Sequence, residues 1–151
     1  MSGRVIIVSG YFNPLHSGHL DYIDAAKEKG DYLIVIVNND NQVEMKGSVQ
    51  FMCEEERLRI VSSIKGVNKA VLSIDKDLTV CQTIRQEYYK LQDDPFVQSV
   101  SFGNGGDRKE GGIAEYLLEE EINIRMLHNL GGGKTQSSSD LIQKVGKDGI
   151  I

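Results

Sequence analysis

The chain begins with a buried-strand pattern, Arg4-Val-Ile-Ile-Val-Ser9, that runs directly into Gly10-Tyr-Phe-Asn-Pro-Leu-His-Ser-Gly-His19. A short continuous apolar run of this kind is typical of a strand buried on both faces of a sheet. Past the turn, apolar residues recur at helical spacing and predict a helix over His19–Lys29. A buried strand, a glycine-bounded turn and a helix in this order indicate the first β–α unit of an α/β sheet.

The same alternation continues along the rest of the chain. Further strands are predicted at 32–37, 70–74, 97–102 and 124–127, further helices at 54–64, 80–89, 113–121 and 139–145, and a polar loop at 38–50. Strands that alternate with helices pair in parallel through right-handed crossovers. The pattern therefore predicts an α/β fold, a Rossmann-like open parallel sheet of about five strands with helices on both faces. Since there is no internal repeat or linker, we expect residues 1–151 to form a single domain.

Composition narrows the function classes. The 151 residues are 40% hydrophobic and 26% charged, with a formal net charge of -5. That charge argues against nonspecific nucleic-acid binding but leaves room for a local basic pocket. No long apolar run or signal peptide is present, so we expect a cytoplasmic protein without a membrane partner. Cys53 and Cys81 show no CxxC pattern and are interpreted as packing thiols in a reducing compartment.

His16 and His19 stand three residues apart where the first predicted helix begins, so they face the same side. Free backbone N–H groups and the positive end of the helix dipole converge at such a position, which suits a phosphate. Gly18 would let a ligand approach the backbone. The alternative is that His16 is a surface cap and His19 a packed core residue. Zinc is disfavoured because HExxH is absent and His128 is the one further histidine in the sequence.

Phe12-Asn-Pro-Leu-His-Ser-Gly-His19 resembles the F-[DN]-x-x-H-x-G-H signature of the cytidylyltransferase-like nucleotidyltransferases. These include glycerol-3-phosphate cytidylyltransferases and the adenylyltransferase domain of ADP-heptose synthases. Further stretches are similar to motifs of the heptose enzymes: Val37-Asn-Asn-Asp40 with Lys46-Gly47, Glu55-Glu-Arg57, Gly105-Gly-Asp107 and Ser137-Ser-Ser139. Asn13 replaces the usual Asp of these groups, and Asn104 replaces a usual Lys.

The resemblance implies transfer of a nucleoside monophosphate from a Mg²⁺-bound NTP to a phosphorylated small molecule, in a homodimer. His16, His19 and Lys46 would be catalytic. Nucleotide binding would fall to Gly10, Tyr11, Phe12, Asn13, Gly18, Gly105, Asp107, Ser137, Ser138 and Ser139, and substrate binding to Asn38, Asp40, Arg57 and Lys134; no metal ligand is assigned among the side chains. The first choice of acceptor is a sugar phosphate with ATP. The second is glycerol 3-phosphate or a related phosphate or phosphonate with CTP.

Several alternatives remain open on the residues alone. Ser137–Ser139 precede a predicted helix and could cap it, bind phosphate or do both. Gly131-Gly-Gly-Lys-Thr135 suggests a P-loop, but His128 stands where its first glycine is needed. Gly103–Asp107 lacks the GxGxxG spacing, so it is either a flexible turn or a close approach to a nucleotide. A nucleotide sensor without turnover and a redox Rossmann protein are the rival functions.

Overall fold

A computed structural model describes residues 3–105 and 113–130 of the chain. Its strands are β1 (Gly3–Gly10), β2 (Tyr32–Val37), β3 (Lys69–Leu72), β4 (Val97–Gly105) and β5 (Arg125–Leu130). Its helices are α1 (Ser17–Glu28), α2 (Asp40–Lys46), α3 (Glu54–Ser62), α4 (Cys81–Leu91), α5 (Ile113–Tyr116) and α6 (Leu118–Glu121). None of these helices is long and apolar enough to cross a membrane.

The five strands form one sheet in the order β3-β2-β1-β4-β5, with every neighbouring pair parallel. The chain therefore runs outward from β1 to β3, returns past β1 to β4, and continues to β5. The carboxyl ends of β1 and β4 lie side by side where the direction of winding reverses, which is where open α/β sheets bind ligands. The predicted fold class and strand number are confirmed.

Both faces of the sheet are covered, which explains the continuous apolar runs of β1 and β2. In β1, Val5 and Ile7 face the helices α4 and α6, while Ile6 and Val8 face α1 and α3. In β2 the side chains alternate in the same way between the two clusters. Strands buried on both sides need apolar residues at every position rather than at every second one.

The polar segment 38–50 was predicted as a loop, and this prediction is wrong. It contains α2, whose N-cap Asn39 accepts a hydrogen bond from the backbone N–H of Gln42. The side chain of Gln42 in turn accepts from the backbone of Asn39, completing a capping box. Gly47, at φ 78°, ends the helix. Apolar periodicity could not reveal this helix because Val43 is its one buried apolar residue.

Other boundaries shift by small amounts. The predicted helix 113–121 consists of the two short helices α5 and α6, and β3 ends before Ser73 instead of at Ile74. The predicted helix 139–145 lies outside the described residues. Both cysteines are free thiols, but Cys53 is exposed and is not the packing residue that was expected. Cys81 is partly buried, and this burial raises the pKa of its thiol.

Candidate active site

The turn that follows β1 folds back on itself. Phe12 is buried and takes a φ of 52°, a left-handed conformation that is uncommon for a bulky side chain. Its ring lies against Gly10, where an added Cβ would meet Phe12 Cζ at 2.7 Å. Gly10 and Phe12, both expected to bind nucleotide, therefore shape the turn together, and a side chain at position 10 would displace the ring.

Asn13 connects this turn to the loop that follows α2. Its side-chain Nδ2 donates to the backbone oxygen of Val49 at 2.7 Å, and its Oδ1 accepts from the backbone N–H of Phe51 at 2.8 Å. The residue is 2% exposed. The sequence assigned Asn13 to nucleotide binding; the structure instead commits both polar groups of its side chain to holding residues 49–52 beside the turn.

His16 and His19 form a reciprocal cap at the start of α1. Nδ1 of His16 accepts from the backbone N–H of Gly18, and Nδ1 of His19 accepts from the backbone N–H of His16, each at 3.1 Å. The two rings are stacked with centroids 4.0 Å apart, and the ring of His19 meets that of Phe12 edge-on. Both histidines are half-buried. The capping role of His16, one of the alternatives left open, is therefore present in the structure.

This geometry determines which nitrogen of each ring carries the proton. An imidazole nitrogen that accepts a hydrogen bond has no proton of its own, so in each neutral ring the proton sits on Nε2. These two backbone hydrogen bonds thereby select the same tautomer in both rings. Two stacked rings with Nε2–H donors lie at the first turn of α1, a helix of 12 residues. This arrangement suits an anionic oxygen.

Lys46 reaches the same turn from the end of α2. Its Nζ lies 4.2 Å from the centroid of the Tyr11 ring, within cation–π distance. Lys46 is exposed and Tyr11 is half-buried, so the ammonium group lies at the surface of the turn. The structure thus brings the third predicted catalytic residue next to Tyr11, which is predicted to bind nucleotide, although the two are far apart in sequence.

Arg57, Asn38 and Asp40 were predicted to bind substrate, and the structure places them in a connected polar network instead. Arg57 is fully buried in the first half of α3. Its guanidinium donates to the backbone oxygens of Tyr11, Asn38 and Met52 and to the carboxylate of Asp40. A side chain with no exposed surface and four acceptors within the described residues is a structural link rather than a substrate ligand.

Asn38 lies at the carboxyl end of β2, and it too is buried. Its backbone N–H donates to the oxygen of Gly10, and its side-chain Nδ2 donates to Oε1 of Gln42. Its Oδ1 has no hydrogen-bond partner within residues 3–105 and 113–130. The side chain of Asp40 is 32% exposed and pairs with Arg57 at 2.9 Å. Of Asn38, Asp40 and Arg57, the three members of the predicted substrate set that the structure describes, Asp40 is therefore the one that reaches the surface.

Gln42 is a residue that sequence reasoning missed. It is fully buried, and its Nε2 donates to the backbone oxygens of Asp77 and Thr79 at 2.7 and 2.8 Å. It therefore ties α2 to the loop that follows β3. The pattern Asn39-Asp-Asn-Gln42 fits a capping box and could have revealed both the helix and the role of its glutamine.

The carboxyl end of β4 lies close to that of β1. The Tyr22 hydroxyl is within hydrogen-bond distance of the backbone oxygens of Ser9 and Gly103, at 3.2 and 3.4 Å. Gly103 leaves no room for a side chain, since an added Cβ would lie 2.2 Å from Leu130 Cδ1. Gly105 pairs with β5. Asp107, Lys134, Ser137, Ser138 and Ser139, also predicted to bind ligands, lie outside the described residues.

A separate groove of about 420 Å³ opens between α4 and α6, and none of the predicted site residues lines it. Asp77 and Glu121 lie on its wall with Arg85. The Thr79 hydroxyl and backbone N–H hold the pKa of Asp77 below its usual range, and the hydrogen bond from Arg85 does the same for the pKa of Glu121. These carboxylates are ionised near neutral pH. Within the described ranges, no group of three or more His, Cys, Asp or Glu side chains is placed to hold a metal ion.

Residues 7–127 match the model of a family described as cytidylyltransferase-like. The chain belongs to this family. The resemblance drawn from the histidine motif is thereby confirmed. The expectation that the chain belongs to a nucleotidyltransferase family, whose named relatives are enzymes, is confirmed as well.

Relatives within the family carry different names. The chain is 27% identical over 141 residues to the FAD synthase of Picrophilus torridus, an alignment that covers 93% of this chain and 94% of that protein. Alignments with other FAD synthases cover about half of this chain and about half the length of each relative. The bifunctional protein HldE of Methylobacillus flagellatus is 34% identical over 79 residues, 51% of this chain and 16% of that protein.

Solved structures show the same fold. A lipopolysaccharide core biosynthesis protein from Thermoplasma volcanium superposes with a TM-score of 0.59, covering 87% of this chain and 98% of that one. The two sequences are 20% identical, so this likeness describes the architecture of the sheet and its helices.

Proposed function

We propose that the chain is an adenylyltransferase that transfers AMP from ATP to the phosphate of FMN, forming FAD and pyrophosphate. The observation that carries the phosphoryl chemistry is the reciprocal cap of His16 and His19, in which both Nδ1 atoms accept backbone N–H groups, so that each ring carries its proton on Nε2 at one helix start. The observation that favours FMN is the similarity to FAD synthases, which reaches along nearly the whole chain for the Picrophilus protein.

The reaction needs no protein nucleophile. An oxygen of the acceptor phosphate attacks the α-phosphorus of ATP, a new P–O bond forms, and the bond to the bridging oxygen breaks with its electron pair leaving on pyrophosphate. Catalysis then consists of positioning the two substrates and stabilising charge on the transferring group. His16 and His19 donate their Nε2–H groups to the phosphate oxygens of ATP, where negative charge develops as the bond to pyrophosphate breaks.

Lys46 supplies positive charge beside Tyr11 of the same turn. Its ammonium group above the Tyr11 ring neutralises part of the triphosphate or of the acceptor phosphate. The first turn of α1 adds the positive end of its helix dipole at Gly18. The donors at this site suit phosphate oxygens rather than a metal, so we propose that Mg²⁺ arrives bound to the triphosphate and lowers its charge.

A sugar phosphate is the second candidate acceptor. It was the first choice from the sequence, because Val37-Asn-Asn-Asp40 and Lys46-Gly47 resemble the corresponding stretches of ADP-heptose synthases. Asn38 and Asp40, however, form hydrogen bonds within the network around Arg57. The similarity to FAD synthases therefore moves FMN ahead of heptose phosphate and of glycerol phosphate with CTP.

The decisive experiment measures pyrophosphate release with Mg²⁺ for ATP and CTP, each paired with FMN, heptose 1-phosphate and glycerol 3-phosphate. We expect release with ATP and FMN, together with FAD detected by chromatography, and its loss in His16→Ala. Release with ATP and heptose 1-phosphate alone would transfer the proposal to the second candidate. Binding of ATP without release for any acceptor would favour the nucleotide sensor, and no binding of either NTP would overturn the proposal.

We further propose a homodimer working in the cytoplasm, as the family resemblance implies. Size-exclusion chromatography with light scattering measures the mass directly. A mass of about 34 kDa, twice the 16.8 kDa of the chain, is expected, and a monomer at micromolar concentration would contradict it.

A further inference from the structure

Two segments that meet at the proposed site are linked by one buried side chain. Nη1 of Arg57 donates to the backbone oxygen of Tyr11 at 2.9 Å and also to that of Asn38. Tyr11 belongs to the turn after β1, and Asn38 follows β2 immediately before the cap of α2. The guanidinium therefore joins the two strand ends from which the histidine turn and the Lys46 helix begin.

The remaining donors of the guanidinium hold the helix and the loop on either side. Nη2 donates to Asp40, the first residue of α2, and Nε donates to the backbone oxygen of Met52. The backbone N–H of Asp40 also donates to Glu54 of α3 at 2.8 Å, so α2 is fixed to α3 twice. Because α2 has only seven residues, a shift at its first residue is carried directly to Lys46 at its last.

We propose that Arg57 is the positioning residue for Lys46, holding the ammonium group over the Tyr11 ring in the geometry that meets substrate phosphate. Arg57 itself does not touch substrate, since none of its surface is exposed. Only a planar guanidinium, with its donors in a fixed fork, can bind three carbonyls and a carboxylate at once. A lysine at this position has one ammonium group and cannot reach all four acceptors.

A double-mutant cycle tests this inference, which rests on the proposed role of Lys46. Arg57→Lys is expected to lower kcat/KM about 10- to 100-fold, since a misplacement of about 1 Å at such a site can cost up to about 100-fold in rate. In a Lys46→Met background the same substitution should change kcat/KM by less than about twofold. The matched control is Arg59→Lys, an exposed arginine two residues further along α3, with an effect within about twofold.

Nuclear magnetic resonance of labelled lysine provides a second readout that does not require activity. The ε-methylene of Lys46 above the Tyr11 ring is expected to resonate upfield, and Tyr11→Leu marks its position without the ring. In Arg57→Lys the signal should move to the Tyr11→Leu position, while in Arg59→Lys it stays in place. Where Arg57→Lys does not fold, Asp40→Asn carries the same two tests, because it weakens the bond between the guanidinium and α2.

The outcomes separate this inference from the proposed function. An active wild type with equal effects of Arg57→Lys in both backgrounds, or a Lys46 signal that stays upfield in both Arg57→Lys and Asp40→Asn, would overturn the positioning role. A wild type that is inactive with every substrate pair would overturn the proposed function, while the lysine signal would still decide whether Arg57 holds Lys46. The inference is supported if Arg57→Lys lowers kcat/KM in the protein that contains Lys46 but not in the Lys46→Met background, and if the NMR signal of Lys46 is displaced.

Discussion

The two tasks of His19 can be separated by two substitutions at that residue. His19→Ala removes both the ring that would donate to phosphate and the Nδ1 that accepts from the backbone of His16 at 3.1 Å. His19→Asn keeps an acceptor, because Oδ1 of asparagine lies as many bonds from the backbone as Nδ1 of histidine. Asparagine, however, ends short of the position of Nε2. The alanine variant should therefore lose stability and activity, and the asparagine variant activity alone.

The general strengths of capping bonds and of transition-state hydrogen bonds set the expected sizes of both effects. Losing the capping bond is expected to cost about 0.5–2 kcal/mol of the free energy of unfolding. For a chain of this size, each 1 kcal/mol lowers Tm by about 2–4 °C. Losing one donor to the transferring phosphoryl group should lower kcat by about 10²–10³, or about 2.7–4 kcal/mol. Both variants should share this loss in kcat.

Calorimetry and pyrophosphate release, measured on the same preparations, check the two numbers. Asp24→Asn, an exposed substitution on the same helix, serves as the control and should match the wild type in both assays. A kcat for His19→Asn within about threefold of the wild type would refute the phosphate role of Nε2. Equal melting temperatures for the alanine variant and the wild type would refute the capping role.

Two further predictions concern stability. Asn13→Ala should lower the free energy of unfolding by about 1–3 kcal/mol in urea titration, since it removes two hydrogen bonds to the backbone of Val49 and Phe51, each worth about 0.5–1.5 kcal/mol; an unchanged midpoint would contradict the tether. Asp31→Asn should destabilise the protein at neutral pH, because the backbone N–H of Arg4 lowers the pKa of Asp31. The stability that this hydrogen bond provides is present above the ordinary pKa of the carboxyl group and is lost as the pH falls through the lowered pKa. The difference between the two proteins should begin to narrow as the pH falls below about 4, and it should close once the pH is below the lowered pKa of Asp31. A difference that does not change with pH across this acidic range would count against the charge.

Much of the fold could be predicted because β1 and β2 are buried on both faces. Such strands give continuous apolar runs, and β1 and β2 were predicted with nearly the bounds observed. Helix α2 was missed because its stability comes from its cap and from buried amide hydrogen bonds rather than from an apolar stripe. Periodicity detects packing against a core, and a short polar helix leaves no such trace.

For the candidate site, the sequence predicted the histidine pair but not the structural roles of the residues around it. His16 and His19 are neighbours along one helix, so their contact follows from local geometry. Arg57 was assigned to substrate because family motifs identify positions and do not reveal burial. Whether a cation faces solvent or links two strand ends depends on contacts between residues distant in sequence, which the chain reveals only once folded.

The way in which Asn13 holds the loop after α2 has a consequence for how this site evolves. It binds main-chain atoms of Val49 and Phe51 and makes no demand on their side chains, which are exposed. Substitutions at these two positions can therefore accumulate without loosening the loop or disturbing the histidine turn. The surface beside the histidine turn can therefore change while the turn itself keeps its geometry, which is one physical route by which a single fold comes to present different binding surfaces.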